Sequence, residues 1–155
     1  MKQKSARLTR ENLGFLLAKA IQNWNEMLYQ RFCNHGFRQV RPSFGSILIP
    51  LFEKDGLRLG ELAERGGISK QTMTSAIRHV ENAGLIRRKP DPDDARAVRV
   101  YLTAEARRFE PVAERVLADM DCFAEAVAGA PEVKRTIHWL KRYAEACGKN
   151  HKSKP

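Results

Sequence analysis

Between residues 70 and 96 the chain gathers polar side chains whose types suit the recognition of a polyanion. Lys70, Gln71, Thr74, Ser75 and Arg78 recur at steps of one, three, one and three, which places them on one face of a helix. Amide and hydroxyl groups can hydrogen-bond base edges, and the cations can neutralise phosphates; no acid interrupts the set. A solvated helix face has the same composition, so the neighbouring elements must decide between the two readings. Arg87, Arg88 and Lys89 form a second cationic run, and Arg96 follows a stretch containing Asp91, Asp93 and Asp94. Catalytic signatures are missing: there is no Walker A loop, dinucleotide fingerprint, His-Glu-x-x-His or nucleophile elbow. The expectation is a protein that is not an enzyme and has no cofactor. Cys33-x-His35 could supply two metal ligands, but no second pair at metal-site spacing follows, so no metal is expected.

The elements that must position these groups can be read from the punctuation of residues 57–103. Leu57-Arg58-Leu59 is expected to pair weakly as a short strand. Leu59, Leu62 and Ala63 then stripe a short helix, which Gly66-Gly67 ends because glycine accepts a left-handed backbone. Ser69 is placed to cap the next helix, from Lys70 to about Ala83, whose buried stripe is Met73, Ala76, Ile77 and Val80. Gly84 stops it. Leu85–Lys89 and Val98–Leu102 alternate as two strands, and 90–96 between them reads as a turn-forming loop, since two prolines oppose helix and the aspartates favour turns. A second helix followed by two strands and a protruding loop is a winged helix-turn-helix, and this context favours the polyanion reading over a solvated face.

At these residues the chain resembles the MarR family of bacterial transcription regulators. The resemblance rests on Ser69-x-x-Thr72-Met73-Thr74, Val80-Glu81-x-x-Gly84-Leu85-Ile86-x-Arg88, Asp94-x-Arg96 and Val100-x-Leu102-Thr103, in order and at helix-length gaps. It departs at Ser75, where the family often carries a longer basic side chain, at Val80, where leucine is commoner, and at Ala106, where glycine is. The resemblance implies that Ser69, Lys70, Gln71, Thr72, Thr74, Ser75 and Arg78 line the recognition helix. Arg87, Arg88 and Lys89 lie where a wing approaches phosphates, with a solvated strand edge as their alternative role. The resemblance implies that Arg96, which could otherwise simply pair with Asp94, enters the minor groove and is oriented by Asp94. Asp91 and Asp93 are expected to shape the turn. The resemblance also implies dimerisation through terminal helices, and an amphipathic aromatic or phenolic effector in a crevice between those helices and the winged module. Trp24, Leu28, Phe32, His35, Phe44 and Leu48 are candidate lining residues, with core and interface packing as their alternative role. Redox-sensing members carry a cysteine near the start of the first helix, a position without one here; Cys33, Cys122 and Cys147 are not expected to form disulfides.

The flanks read as helices. Leu13, Leu16, Leu17, Ala20, Ile21, Trp24, Leu28 and Phe32 repeat at three and four after a possible Thr9 cap, and Gly36 ends the run. Phe44, Ile47, Leu48, Leu51 and Phe52 stripe a second helix that Pro50 should kink or shorten. After the wing, Thr103 can cap a helix with Phe109, Val112, Val116, Met120, Phe123 and Val127 on one side, bent by Pro111. Gly129-Ala130-Pro131 then leads to a last helix striped by Val133, Ile137, Leu140, Ala144 and Cys147. The 155 residues carry 28 Lys and Arg against 18 acids, a formal charge of +10, which favours nucleic acid before anionic membrane. With no membrane span and no signal-peptide pattern, a cytoplasmic protein without membrane association is expected.

The expected architecture is therefore mainly α with a small β-wing, a winged module flanked by long dimerisation helices. Its parts are a basic arm (1–8), N-terminal helices (9–54), the winged module (55–103), C-terminal helices (104–147) and a basic tail (148–155). The expected function is a homodimeric, double-stranded-DNA-binding regulator, a repressor rather than an activator, that binds a palindromic operator and is released by a small effector. The alternative is an architectural or replication-related winged-helix DNA binder without an effector.

Overall fold

The computed structural model describes residues 9–152; the basic arm expected over 1–8 and the end of the expected tail lie outside the described residues. Six helices and three strands follow in the order α1 (Leu13–Asn34), α2 (Gly45–Glu53), β1 (Leu57–Arg58), α3 (Leu59–Arg65), α4 (Lys70–Asn82), β2 (Ile86–Asp91), β3 (Asp94–Leu102), α5 (Ala104–Ala128) and α6 (Ala130–Lys152). The fold is the expected mainly helical winged helix. The chain divides into two compact units whose boundary falls between Val116 and Leu117. Among the described residues no helix is long and apolar enough to cross a membrane.

In the first unit, α1 begins later than the Thr9 cap anticipates. Asn12 is the cap: its Oδ1 accepts the Gly14 and Phe15 amides at 2.8 and 3.3 Å, while its own N–H donates to the Thr9 carbonyl. A carboxamide oxygen serving two of the helix's unpartnered N–H groups fixes the start. Only the C-terminal half of α1 is buried, through Leu28 and Phe32, and Phe32 and Phe37 both meet Phe109 edge-on at 4.9 and 5.1 Å. A 3-10 turn at Pro42–Phe44 runs into α2, whose Ile47, Leu48 and Leu51 are buried.

Pro50 sits inside α2 and cannot donate to the Ser46 carbonyl. A Cβ on Gly66 would overlap that same carbonyl oxygen, so α2 and α3 approach as closely as they do because Gly66 has no side chain. The two glycines after α3 thus have separate tasks. Gly67 takes the left-handed backbone at φ +66°, and Gly66, which stays right-handed, supplies clearance.

The sheet has the order β1-β3-β2, with both pairs antiparallel. Leu57 pairs with Val100 and Arg58 with Arg99, the short third strand anticipated from sequence. Leu57, Leu62, Met73, Ile77, Val80, Leu85 and Val100 form the fully buried centre of the winged module.

In the second unit, Gly129 at φ +82° separates α5 from α6, and Pro131 occupies the first turn of α6 as expected. Helix α6 continues through Gly148 to Lys152, so the first part of the expected tail is helical. Phe123 and Val127 at the end of the α5 stripe are exposed, as are Ile137 and Leu140 on α6; Trp139 and Tyr143 stack at 4.9 Å.

Candidate nucleic-acid interface

Helix α4 is built around its cap. Ser69 Oγ accepts the Thr72 amide at 3.1 Å and shares a hydrogen bond with Thr72 Oγ1 at 2.8 Å. Both hydroxyls expected to touch DNA at this end are therefore engaged with each other, while remaining exposed. Because Met73, Ile77 and Val80 turn inward, Lys70, Gln71, Thr74, Ser75 and Arg78 stand together on the exposed side. Two of these have restricted chemistry. Thr74 Oγ1 donates to the Lys70 carbonyl at 2.8 Å and Ser75 Oγ to the Gln71 carbonyl at 3.3 Å, so each presents an acceptor, not a donor, to whatever approaches.

The wing differs from expectation in extent. The strands continue through Pro90, Asp91 and Asp94, leaving only Pro92 and Asp93 between them, where sequence suggested a loop over 90–96. Proline is tolerated because β2 is an edge strand, where a missing N–H breaks no second ladder. Pro90 pairs with Val98 and Asp91 with Asp94, so Ala95, Arg96 and Ala97 are extra residues on β3 and form a bulge. Arg96 is exposed at its centre. Asp94 Oδ1 accepts the Arg96 backbone N–H at 3.0 Å, which holds the residue through its main chain. Val98, expected to face inward with Val100 and Leu102, is 41% exposed because the hairpin has by then left the core.

The three cations of β2 are not equivalent. Arg87 and Lys89 are exposed, with Lys89 Nζ 5.7 Å from the Tyr101 ring centre. Arg88 instead reaches back to α4: its Nε and Nη2 lie 3.0 and 2.7 Å from Glu81 Oε2, and its N–H donates to Glu81 Oε1. The pair holds the Glu81 carboxyl below the usual carboxylate range, chiefly through the Arg88 hydrogen bond, and ties wing to recognition helix.

Two carboxylates are essential to this arrangement and were not legible as such. Asp55 Oδ1 accepts the Gly56 and Leu102 amides at 2.9 Å each, and its Oδ2 meets Arg107 Nη2 at 2.8 Å, so it joins the end of α2 to β3 and α5. Asp91 is buried and accepts from Arg58 Nε at 2.6 Å, Arg99 Nε at 2.8 Å and the Asp93 amide at 2.9 Å. It does shape the turn, as expected, and it also binds two cations. Separations of 33 and 47 residues leave no local pattern for such pairs.

The residues proposed for an effector crevice differ in burial. Leu28, Phe32 and Leu48 are buried packing residues, Trp24 is half-buried and His35 is exposed beyond the end of α1. A cleft of about 470 Å³ does lie beside the recognition helix. It is lined from the segment before α2 by Gln39, Arg41, Ser43 and Phe44, and from α4 by Ala76, His79, Asn82 and Ala83; Phe44 is the residue shared with the sequence expectation.

The sequence profile of the MarR family matches residues 42–98, from the 3-10 turn before α2 into the wing. Over this segment, well under half of its length, the chain is similar to the MarR family. The matched segment contains every exposed residue of α4 and the Arg96 bulge described above. Among curated relatives, the HTH-type transcriptional regulator TtmR of Methylorubrum extorquens is 30% identical over 83 residues, which is 54% of this chain and 39% of TtmR. The chain thus spans well under half of that relative. Among solved structures, the Mycobacterium tuberculosis transcriptional regulator MOSR in complex with DNA superposes with a TM-score of 0.69 at 25% identity, covering 88% of this chain and 98% of MOSR. The PcaV regulator of Streptomyces coelicolor, solved with its natural ligand, gives a TM-score of 0.71 at 22% identity, covering 87% and 93%. The likeness in fold to these structures therefore extends over both flanks of the matched segment.

Proposed function

We propose that this chain is a cytoplasmic, sequence-specific double-stranded-DNA-binding transcriptional regulator, acting as a homodimeric repressor on a palindromic operator. The observation that carries the reading is the exposed, acid-free face of α4 set beside a wing that lifts Arg96 clear of the sheet. A helix of this composition fits the major groove, and an arginine on a projecting wing fits a narrow minor groove. The regulator MOSR, of the same fold, is solved with DNA.

Dimerisation is supported by apolar side chains that the chain itself leaves uncovered: Leu13, Phe15, Leu16 and Ile21 on α1 are 50–55% exposed. Covering such surface contributes ~25 cal/mol per Å². An operator read by a twofold dimer carries half-sites about one helical turn apart. The effector site is the cleft beside α4, whose one apolar wall (Phe44) and polar groups (Arg41, His79, Asn82) suit a small amphipathic aromatic molecule. Because α4 itself lines the cleft, occupancy there can favour one placement of the recognition helix over another.

Selection of bound sequences from a random duplex pool tests the reading. Enrichment of a palindrome is expected. Tight binding without an enriched motif would favour the architectural alternative, and no binding by folded protein would remove the DNA-binding reading.

A further inference from the structure

Arg58 and Arg99 lie directly across from each other on β1 and β3, an arrangement of like charges that destabilises a sheet unless something neutralises it. Asp91 does so. Its carboxylate is fully buried at the outer end of β2 and takes the Nε–H of both arginines, while Arg99 Nη1 also donates to the Gly56 carbonyl at 3.1 Å. Arg58 is the residue at which α3 begins, and its own N–H is held by Glu61 Oε2 at 2.9 Å. One carboxylate therefore connects the hairpin, the central strand and the first residue of the helix-turn-helix. The register shift that releases Ala95, Arg96 and Ala97 occurs at this same carboxylate, between Pro90 and Asp91.

We propose that Asp91 is the positioning residue of the wing: gripped by Arg58 and Arg99, its buried carboxylate sets the direction in which the 95–97 bulge presents Arg96 to DNA. Arg58 and Arg99 are by the same geometry internal counter-ions of the wing. The inference rests on the DNA-binding reading and deepens it, since it assigns the orientation of Arg96 to a residue that does not itself face the ligand.

A double-mutant cycle on the selected operator tests it, with folding of each variant followed by circular dichroism. Asp91→Asn and Arg96→Ala are each expected to weaken binding roughly tenfold, and the double variant to bind no more weakly than Arg96→Ala alone. Asp91→Asn should also lower the salt dependence of binding as Arg96→Ala does, a readout that a general loss of stability would not move. Should Asp91→Asn not fold, Arg99→Gln carries the same cycle, because it leaves the Arg58–Asp91 contact in place. Additive losses, or wild-type binding by Asp91→Asn, would overturn the proposal while leaving DNA binding intact. Failure of the wild-type protein to bind any duplex would instead overturn the reading on which it rests.

Discussion

Asp91 and Thr74 show how a side chain's partners decide what it can do. The Asp91 carboxyl is held down at about 2, first by the Arg58 hydrogen bond, then by the Asp93 amide and by Arg99, against an ordinary value of 3.8. A depressed carboxyl contributes stability that is fully present above its unfolded value and is lost as pH falls through the folded one. The urea midpoint of the wild type should therefore drop between about pH 4 and pH 2 by more than that of Asp91→Asn; parallel curves would mean the carboxylate is not the linked group. Thr74 has its hydroxyl hydrogen committed to the Lys70 carbonyl, so its oxygen can only accept, and the major-groove donors it would match are the amino groups of adenine and cytosine. Thr74→Val should erase an adenine-or-cytosine preference at one position of each half-site in a repeated selection. Relaxation of a guanine or thymine preference would contradict that assignment. The polar face of α4 was legible because its spacing is local. The hydroxyl commitments and the Asp91 grip were not, since they depend on rotamers and on partners far along the chain.

At the scale of elements, the helix-turn-helix was legible because its punctuation is chemical. Ser69 caps α4, Gly67 supplies the left-handed turn and Gly84, at φ +75°, stops the helix, each as the sequence indicates. The role of Gly66 was hidden, because it concerns a carbonyl 20 positions away that Pro50 leaves without its helical partner. Gly66→Ala should lower stability by about 1–3 kcal/mol through forced separation of α2 and α3, measured by chemical denaturation. An unchanged midpoint would show that the two helices part without cost. The wing was misjudged in extent for a related reason. Two prolines in a short stretch argue against a strand until it is known that the strand lies at the sheet's edge, which is a property of the sheet's order.

For the whole molecule, the terminal stripes were legible as surfaces needing cover, and their outer residues remain exposed in the chain taken alone. Leu16, 50% exposed on α1, is a direct probe. Leu16→Asp should shift sedimentation from dimer to monomer and weaken operator binding steeply, whereas a monomeric wild type at the same concentration would remove the dimer. The cleft beside α4 was poorly legible. Its walls come from the segment before α2 and from the far end of α4, and no periodicity links the two. The most direct test of sequence reading by α4 compares Gln71→Ala with wild type on the selected operator and on random duplex at near-physiological salt. Operator affinity should fall by about tenfold while affinity for random duplex barely changes, so that the ratio between them contracts. Equal losses on both duplexes, or none on either, would contradict a base-reading role for this face.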